Sequence, residues 1–290
     1  MPSGRTRRLL LAASGAALLA LLLAAPGALA DAFTPESGGT ENADDIDTLY
    51  KIAFYIGIVI FLGVEGTLIW SLVRYRARRG GEAAQIRGNT PLEVGWTLGA
   101  ALILVVLTVI TFLYLPDIEN PPASDPGGLA SNTEFASVDQ PPPPKGGGPT
   151  LTIGVVGQQY LWRYSYPGRQ QLYSYYTMVV PTGTTVVLKI TASDVIHSWW
   201  IPKLGGKMDG VPGHINETWF KIPRGKEGTY NGVCAELCGY NHADMRAEVR
   251  AVRPAEFEAW ARRQRQDIAD SQRQLGEERE AREKSQEATQ

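Results

Sequence analysis

The sequence predicts a two-helix transmembrane hairpin followed by one all-β domain, an antiparallel Greek-key barrel or sandwich, and three features carry that reading. Residues 49–73 and about 92–115 form two apolar stretches, each as long as the ~20 residues needed to cross a hydrocarbon core. From residue 150 the chain changes to short runs of β-branched and aromatic residues punctuated by Gly, Pro and Asp, the pattern of short strands and tight turns. Between these, residues 117–149 are rich in Pro, Gly, Ser and Asn, including Pro141-Pro-Pro-Pro144 and Gly146-Gly-Gly148. Such a run makes a linker and not a core. The 290 residues, 44% of them hydrophobic, allow one or two domains beside the membrane segments. A formal charge of -2, summed over several compartments, points to no particular partner.

Taken in order, Arg5, Arg7 and Arg8 precede an apolar run and the small residues Ala28-Leu-Ala30, so residues 1–30 are expected to be a signal peptide. Residues 31–48 are acidic and polar, an expected extracytoplasmic lead-in to a hairpin over 49–116. The first span carries Glu65, costly in lipid unless it faces protein or water. It ends in Arg74-Tyr-Arg76-Ala-Arg78-Arg79, a basic cluster that belongs on the cytoplasmic side. After a hydrophilic turn the second span returns the chain outward, with Trp96 near one end and Tyr114 and Pro116 near the other. Two helices bury little function by themselves, so the hairpin is expected to dock against a larger membrane protein. Strands are expected at 151–156, 159–166, 171–180, 184–191, 217–222 and 245–252, within a domain spanning 150–254. Residues 255–290 carry charges at helical spacing, which predicts an exposed helix fraying into a charged tail.

One loop concentrates the chemistry: Cys234-Ala-Glu-Leu-Cys238-Gly-Tyr-Asn-His242-Ala-Asp-Met245, which holds both cysteines of the chain. Two thiolates, an imidazole and a thioether form a soft donor set, and soft sulfur with imidazole selects copper over hard cations. An upstream imidazole has few sources among three histidines. His197 follows an apolar, β-branched run at the point where a strand hands over to a loop. With two sulfurs to share, a second metal ion has ligands too. A disulfide and a structural zinc site are the competing readings of the two cysteines. Neither accounts for Met245 or His197.

The residues from Asp194 to Met245 resemble subunit II of the heme-copper cytochrome c oxidases. The shared pattern is Asp194-Val-x-His197-Ser, then Pro202-x-Leu204-Gly-x-Lys207-x-Asp209, then Pro212-Gly-x-x-Asn216, then Cys234-x-Glu236-x-Cys238-Gly-x-x-His242-x-x-Met245. The likeness extends more loosely over about 49–260. It implies a cupredoxin-like barrel holding a dinuclear copper centre, CuA, on His197, Cys234, the main-chain oxygen of Glu236, Cys238, His242 and Met245. It also implies a magnesium or manganese ion shared with subunit I through the Glu236 side chain, with Asp209 near the same interface. His214 stands where the family often has Arg and is read as a surface or supporting residue.

Two further segments carry the likeness. Asn89-Thr-x-Leu92-Glu93-x-x-Trp96-Thr97 matches a family segment whose glutamate stands at a proton path, which makes Glu93 a proton-uptake residue by resemblance. The alternative is a solvated carboxylate favoured by the helix dipole. Arg87 and Gly99 depart from the family's usual His and Pro. Gly157-x-Gln159-Tyr160-x-Trp162 matches a segment in which the first aromatic, Trp in the family and Tyr160 here, receives electrons from the donor. Tyr160 and Trp162 are the donor-contact candidates, with core packing the competing role for Trp162.

The resemblance implies electron transfer from a cytochrome c donor through copper to heme in subunit I, where oxygen is reduced to water with proton translocation. Other oxidase subunits and the bacterial cell membrane complete the partners, nucleic acid is not among them, and the copper domain lies on the extracytoplasmic side of a multi-pass chain. No Cys-x-x-Cys-His motif occurs, so the donor heme belongs to another protein. Basic side chains outnumber acidic ones between 151 and 252, which favours a neutral, acidic or membrane-tethered donor over a strongly basic one. A quinol oxidase subunit would lack the copper ligands. A membrane-anchored copper chaperone would not need the Glu93 segment.

Overall fold

The computed structural model describes residues 35–76, 85–128, 150–167 and 172–287. The expected signal peptide, the hairpin turn at 77–84 and most of the Pro/Gly-rich linker lie outside the described residues. The first helix, α1, spans Glu41–Arg74 and the second, α2, spans Thr90–Glu119. Both are long and apolar enough to cross a membrane, and their apolar windows are left uncovered by the other described residues.

Helix α1 starts at Glu41 and not at residue 49, because its first two turns have a partner. The Thr40 side chain caps it by accepting from the Ala43 N–H and donates its own hydroxyl proton to the Leu204 carbonyl. The Asn42 amide reaches the Trp219 carbonyl, and Thr40, Asn42 and Asp47 are buried. Part of the expected solvated lead-in is therefore packed against the β domain.

Helix α2 is capped by Asn89, whose side chain accepts from the Leu92 N–H, while Glu93 reaches back to the Asn89 N–H. These reciprocal bonds satisfy two donors that the first turn leaves free. The helix runs past Pro116 to Glu119, where the Asn120 backbone and side chain both donate to the Pro116 carbonyl. The Trp219 indole N–H donates to the Ile118 carbonyl at 2.9 Å and ties this end of α2 to the β domain.

The β domain is a sandwich of two five-stranded sheets. One contains β1 (Leu151–Gln158), β2 (Leu161–Ser165), β3 (Tyr173–Tyr175), β5 (Thr185–Ala192) and β8 (Asn216–Lys221), in the order β3-β2-β1-β5-β8. The other contains β4 (Thr177–Pro181), β6 (His197–Trp200), β7 (Met208–Gly210), β9 (Gly228–Cys234) and β10 (Arg246–Val252), in the order β4-β10-β9-β6-β7. The expectation of a purely antiparallel domain is corrected: β1 runs parallel to β5, and β4 parallel to β10. In each case the chain visits the opposite sheet before returning, and the crossover reverses the direction a hairpin would impose.

The stretch expected as one strand over 171–180 is two strands in different sheets. Tyr176, with φ of 60°, makes the break. Its N–H donates to the Trp162 carbonyl in one sheet, and its carbonyl accepts from Glu248 in the other. Strands β6, β7 and β9 were not expected. The first two are three or four residues long, and β9 reads Gly-Thr-Tyr-Asn-Gly-Val-Cys, with two glycines and an asparagine breaking any alternation.

Inward-facing Leu151, Ile153, Val155, Trp162, Leu188 and Phe220 form the centre of the core. The Tyr166 hydroxyl donates to the Val179 carbonyl and accepts from the Val179 N–H, pinning the two sheets together at one end. At that end helix α3 (Pro254–Glu287) begins. Its residues Phe257, Trp260 and Ala261 belong to the core, with the Trp260 ring 5.3 Å from that of Tyr166. Only beyond Ile268 does α3 become the exposed, charged helix that its composition suggests.

Candidate metal centre

The opposite end of the sandwich from α3 carries the chemistry. His197 opens β6 and Cys234 closes β9, and the pairing of these strands, Trp199 against Cys234, brings the two residues together. The Cys234 N–H donates to the Met245 carbonyl and the Ala235 N–H to the Ser198 carbonyl, so both ends of the loop are fastened to strands.

Sulfur and nitrogen atoms converge there. The two cysteine Sγ atoms are 3.9 Å apart. Cys234 Sγ is 3.9 Å from His197 Nδ1 and 3.2 Å from the Glu236 carbonyl oxygen. Cys238 Sγ is 3.6 Å from His242 Nδ1 and 3.7 Å from Met245 Sδ. The donor atoms of His197, Cys234 and Cys238 lie within 4.8 Å of one another, and all three residues are buried. The six ligand candidates named from sequence, which come from two strands and one loop, therefore meet at one place.

The sulfur separation speaks against a disulfide and leaves room for a soft metal ion. A disulfide needs about 2.05 Å, and both cysteines are free. A soft ion bound at about 2.3 Å to each sulfur spans at most ~4.6 Å between them, which the observed distance satisfies. Burial, and then the neighbouring Cys234, push the Cys238 thiol up to about 11. Two thiolates side by side in this pocket need a cation between them, and the imidazoles and thioether suit a soft one.

Asp194 is a supporting residue that the sequence reading left without a role. Its Oδ1 lies 2.9 Å from His197 Nε2, which leaves Nδ1 facing the sulfurs. The same carboxylate accepts from the backbone N–H groups of Gln159 and Val195. Burial opposes its charge, but these bonds and His197 outweigh burial and hold the carboxyl below the usual aspartate range. The acid three residues ahead of a candidate histidine ligand was the available signal. Gly157 closes the other side: a Cβ there would sit 2.9 Å from His197 Cδ2 and 3.0 Å from Trp162 Cζ3.

The remaining candidates are distributed. Trp162 is fully buried, its ring edge-on to His197 at 5.8 Å, so it is a wall of the site. Tyr160 is half-buried, and its hydroxyl accepts from the Tyr240 N–H. The Glu236 side chain is exposed, as is Asp209, which pairs with Ser198 beside His197. His214 is exposed in a turn. Glu93 stands at the far end of α2, whose 30 residues span about 45 Å.

A β-sandwich with two free cysteines, two histidines and a methionine gathered at one end, carried on an apolar helical hairpin, defines a membrane-anchored, cupredoxin-like protein able to bind copper. The sequence matches the family model for the periplasmic domain of cytochrome c oxidase subunit II over residues 168–252, and the model for its transmembrane domain over 30–113. The chain belongs to the cytochrome c oxidase subunit II family. Cytochrome c oxidase subunit 2 of Thermostichus vulcanus is 35% identical over 264 residues, covering 79% of this chain and 78% of that protein. A probable cytochrome c oxidase subunit 2 of Rickettsia bellii is 32% identical over 237 residues, covering 75% and 78%. The crystal structure of the periplasmic domain of subunit II (CoxB) of Bradyrhizobium japonicum is 35% identical, with a TM-score of 0.39, covering 40% of this chain and 94% of that one. The chain is thus a membrane subunit of a heme-copper oxidase complex whose partners are the other oxidase subunits, and the catalytic activity resides in that complex.

Proposed function

We propose that this chain accepts electrons from a cytochrome c donor at a dinuclear CuA centre and passes them to heme in subunit I. Reduction of oxygen to water, coupled to proton translocation, follows in that subunit. The observation that carries this reading is the pair of free, buried sulfurs 3.9 Å apart, with an imidazole nitrogen beside each. When bound, the copper pair supplies a one-electron couple shared over two metals.

The residues of the chain do the rest. Cys234 and Cys238 would hold the copper pair through their thiolates, with His197, His242, Met245 and the Glu236 carbonyl oxygen completing the ligand set. Asp194 fixes the His197 ring through Nε2. The buried positions of His197, Cys234, Cys238 and Met245 keep water from the sulfurs. Strands β6, β9 and β10 hold both ends of the loop, so a change of charge meets a stiff frame, which favours fast electron transfer.

Several finer roles belong to the same reading. The exposed Glu236 carboxylate, a hard ligand, offers one bond to a magnesium or manganese ion shared with subunit I. Glu93 takes up protons on the cytoplasmic side. Arg74 and Arg76, at the end of α1 away from the sandwich, suit the cytoplasmic side, which supports a copper domain outside a bacterial cell membrane that the chain crosses twice. The donor approaches over Tyr160.

Titrating the reduced, detergent-purified full chain with copper tests the proposal. Two copper ions per chain and a paramagnetic spectrum delocalised over both are expected. A single copper, or a stoichiometric zinc that copper cannot displace, overturns it.

A further inference from the structure

We propose that the two-residue turn between β1 and β2, Gln159-Tyr160, is a brace that holds the two ligand-bearing segments of the metal centre against each other. Its two side chains act as positioning residues. The inference rests on the metal-holding role of the loop and goes beyond it.

Strand pairing accounts for only part of the ligand geometry. The β6–β9 ladder pairs Trp199 with Cys234 and Trp200 with Val233, which fixes His197 relative to Cys234. Cys238 and His242 lie beyond that ladder. Within the loop, the His242 N–H donates to the Gly239 carbonyl and the Met245 N–H to the His242 carbonyl, so this half is bonded largely to itself. Among the described residues, the hydrogen bonds that reach Cys238, Gly239 and Tyr240 from outside the loop come from the turn. The Gln159 side-chain amide donates to the Cys238 carbonyl at 2.6 Å, and the Tyr160 hydroxyl accepts from the Tyr240 N–H at 3.0 Å.

The same turn grips the other ligand segment. The Gln159 backbone N–H donates to Asp194 Oδ2 at 2.7 Å, and Asp194 Oδ1 meets His197 Nε2 at 2.9 Å. One residue therefore holds the loop that carries Cys238 through its side chain, and the carboxylate that aims His197 through its backbone. Gly239 shows how closely the pieces meet. Its φ is 130°, and a Cβ would lie 2.7 Å from the Tyr160 hydroxyl and 2.8 Å from Gln159 Nε2. Tyr160 thereby gains a role that its exposed edge does not reveal. A tryptophan there could not serve as acceptor for the Tyr240 N–H, because its indole offers only a donor.

Supporting hydrogen bonds of this kind change metal affinity by 10–100-fold when removed. The test uses the full chain in detergent with Tyr160→Phe, which keeps the ring and removes the acceptor, and Gln159→Met, which keeps the length and removes the donor. Gln158→Met, at the exposed neighbouring position, is the control. Copper affinity is measured by competition. The alkylation rates of Cys234 and Cys238, and the unfolding midpoint, are measured in the metal-free protein. Each brace variant is expected to bind copper about tenfold more weakly and to alkylate Cys238 several-fold faster, at an unchanged midpoint, while the control matches the parent. Parent-like affinity and alkylation overturn the proposal, as does a loss of affinity that merely tracks a lowered midpoint. If the parent binds no copper, the metal-holding role itself fails, and the alkylation comparison still decides whether the turn restrains the loop.

Discussion

Gly157→Ala tests the geometry of the centre most sharply, because it adds one methyl group beside a ligand and changes nothing else. The new Cβ would lie 2.9 Å from His197 Cδ2, 3.0 Å from His197 Cγ and 3.0 Å from Trp162 Cζ3. Ordinary carbon contacts need about 3.5–4.0 Å, so the rings must retreat by roughly 0.5–1 Å. Both are fully buried, so the neighbours must move as well. Overpacking of this size costs about 1–3 kcal/mol. The stiffer unfolded chain returns about 0.4–1 kcal/mol, which leaves a net loss of roughly 1–2 kcal/mol. The displacement also turns His197 against its bond to Asp194 and moves Nδ1 relative to Cys234 Sγ. Copper affinity is therefore expected to fall more steeply than stability, by about tenfold or more. Copper titration with paramagnetic resonance, alongside thermal unfolding of the metal-free chain, reads both quantities. A variant with parental affinity, spectrum and unfolding midpoint would refute the claim that His197 is held in its ligand position by contact with the β1 backbone.

Four further outcomes are expected. Cys234→Ser and Cys238→Ser each abolish the two-copper spectrum if the proposed centre shares both sulfurs; a surviving delocalised signal in either rules out sharing. Glu93→Gln retains an oxygen that can cap the Asn89 N–H but cannot titrate, so oxygen consumption by the assembled oxidase slows while copper reduction is unaffected. Unchanged turnover would leave Glu93 as a helix cap only. Phe257→Ala, which empties a fully buried site, costs about 3–5 kcal/mol, whereas ending the chain after Asp270 removes, among the described residues, only exposed helix and leaves the unfolding midpoint in place. Equal effects would contradict the division of α3 into a core part and a solvated part. Glu227 is held below the ordinary glutamate value by its own backbone N–H, the Thr182 hydroxyl and the Gly225 N–H. A depressed folded-state value means its contribution is present above the ordinary value and fades as pH falls through the lowered one. The midpoint difference between the parent and Glu227→Leu should shrink as pH falls below about 4, and a difference that grows there would reverse the assignment.

The candidate ligand residues stand out in the sequence because soft-metal chemistry restricts ligands to a few residue types. With two cysteines and three histidines in the chain, a soft donor set has few possible members. The hairpin was readable because hydrocarbon thickness sets the length of an apolar helix. Strands rich in β-branched residues, such as β1 and β5, announce themselves in the same way. Other features depend on partners distant in sequence. Residues 40–48 look solvated until Leu204 and Trp219 are placed against Thr40 and Asn42. The break at Tyr176 is visible only as the point where the chain passes from one sheet to the other. Phe257 and Trp260 sit in a charged stretch, and nothing local says that Tyr166 waits to receive them.

What the sequence by itself determined is the inventory: two spans, a β domain and a soft set of candidate metal ligands, each dictated by local composition or by the chemistry of a side chain. What only the tertiary structure decided is the spacing. Cys234 and Cys238 stand 3.9 Å apart as free thiols, Asp194 aims the His197 ring, Trp162 is a buried wall, and the Gln159-Tyr160 turn lies across the loop. The Trp162 wall and the Gln159-Tyr160 turn reach the site from strands far apart along the chain, and the local Cys234–Cys238 and Asp194–His197 distances depend on the strand pairing that fastens both segments. Hydrogen-bond registers and side-chain contacts set them, and neither has a signature in any one stretch of residues.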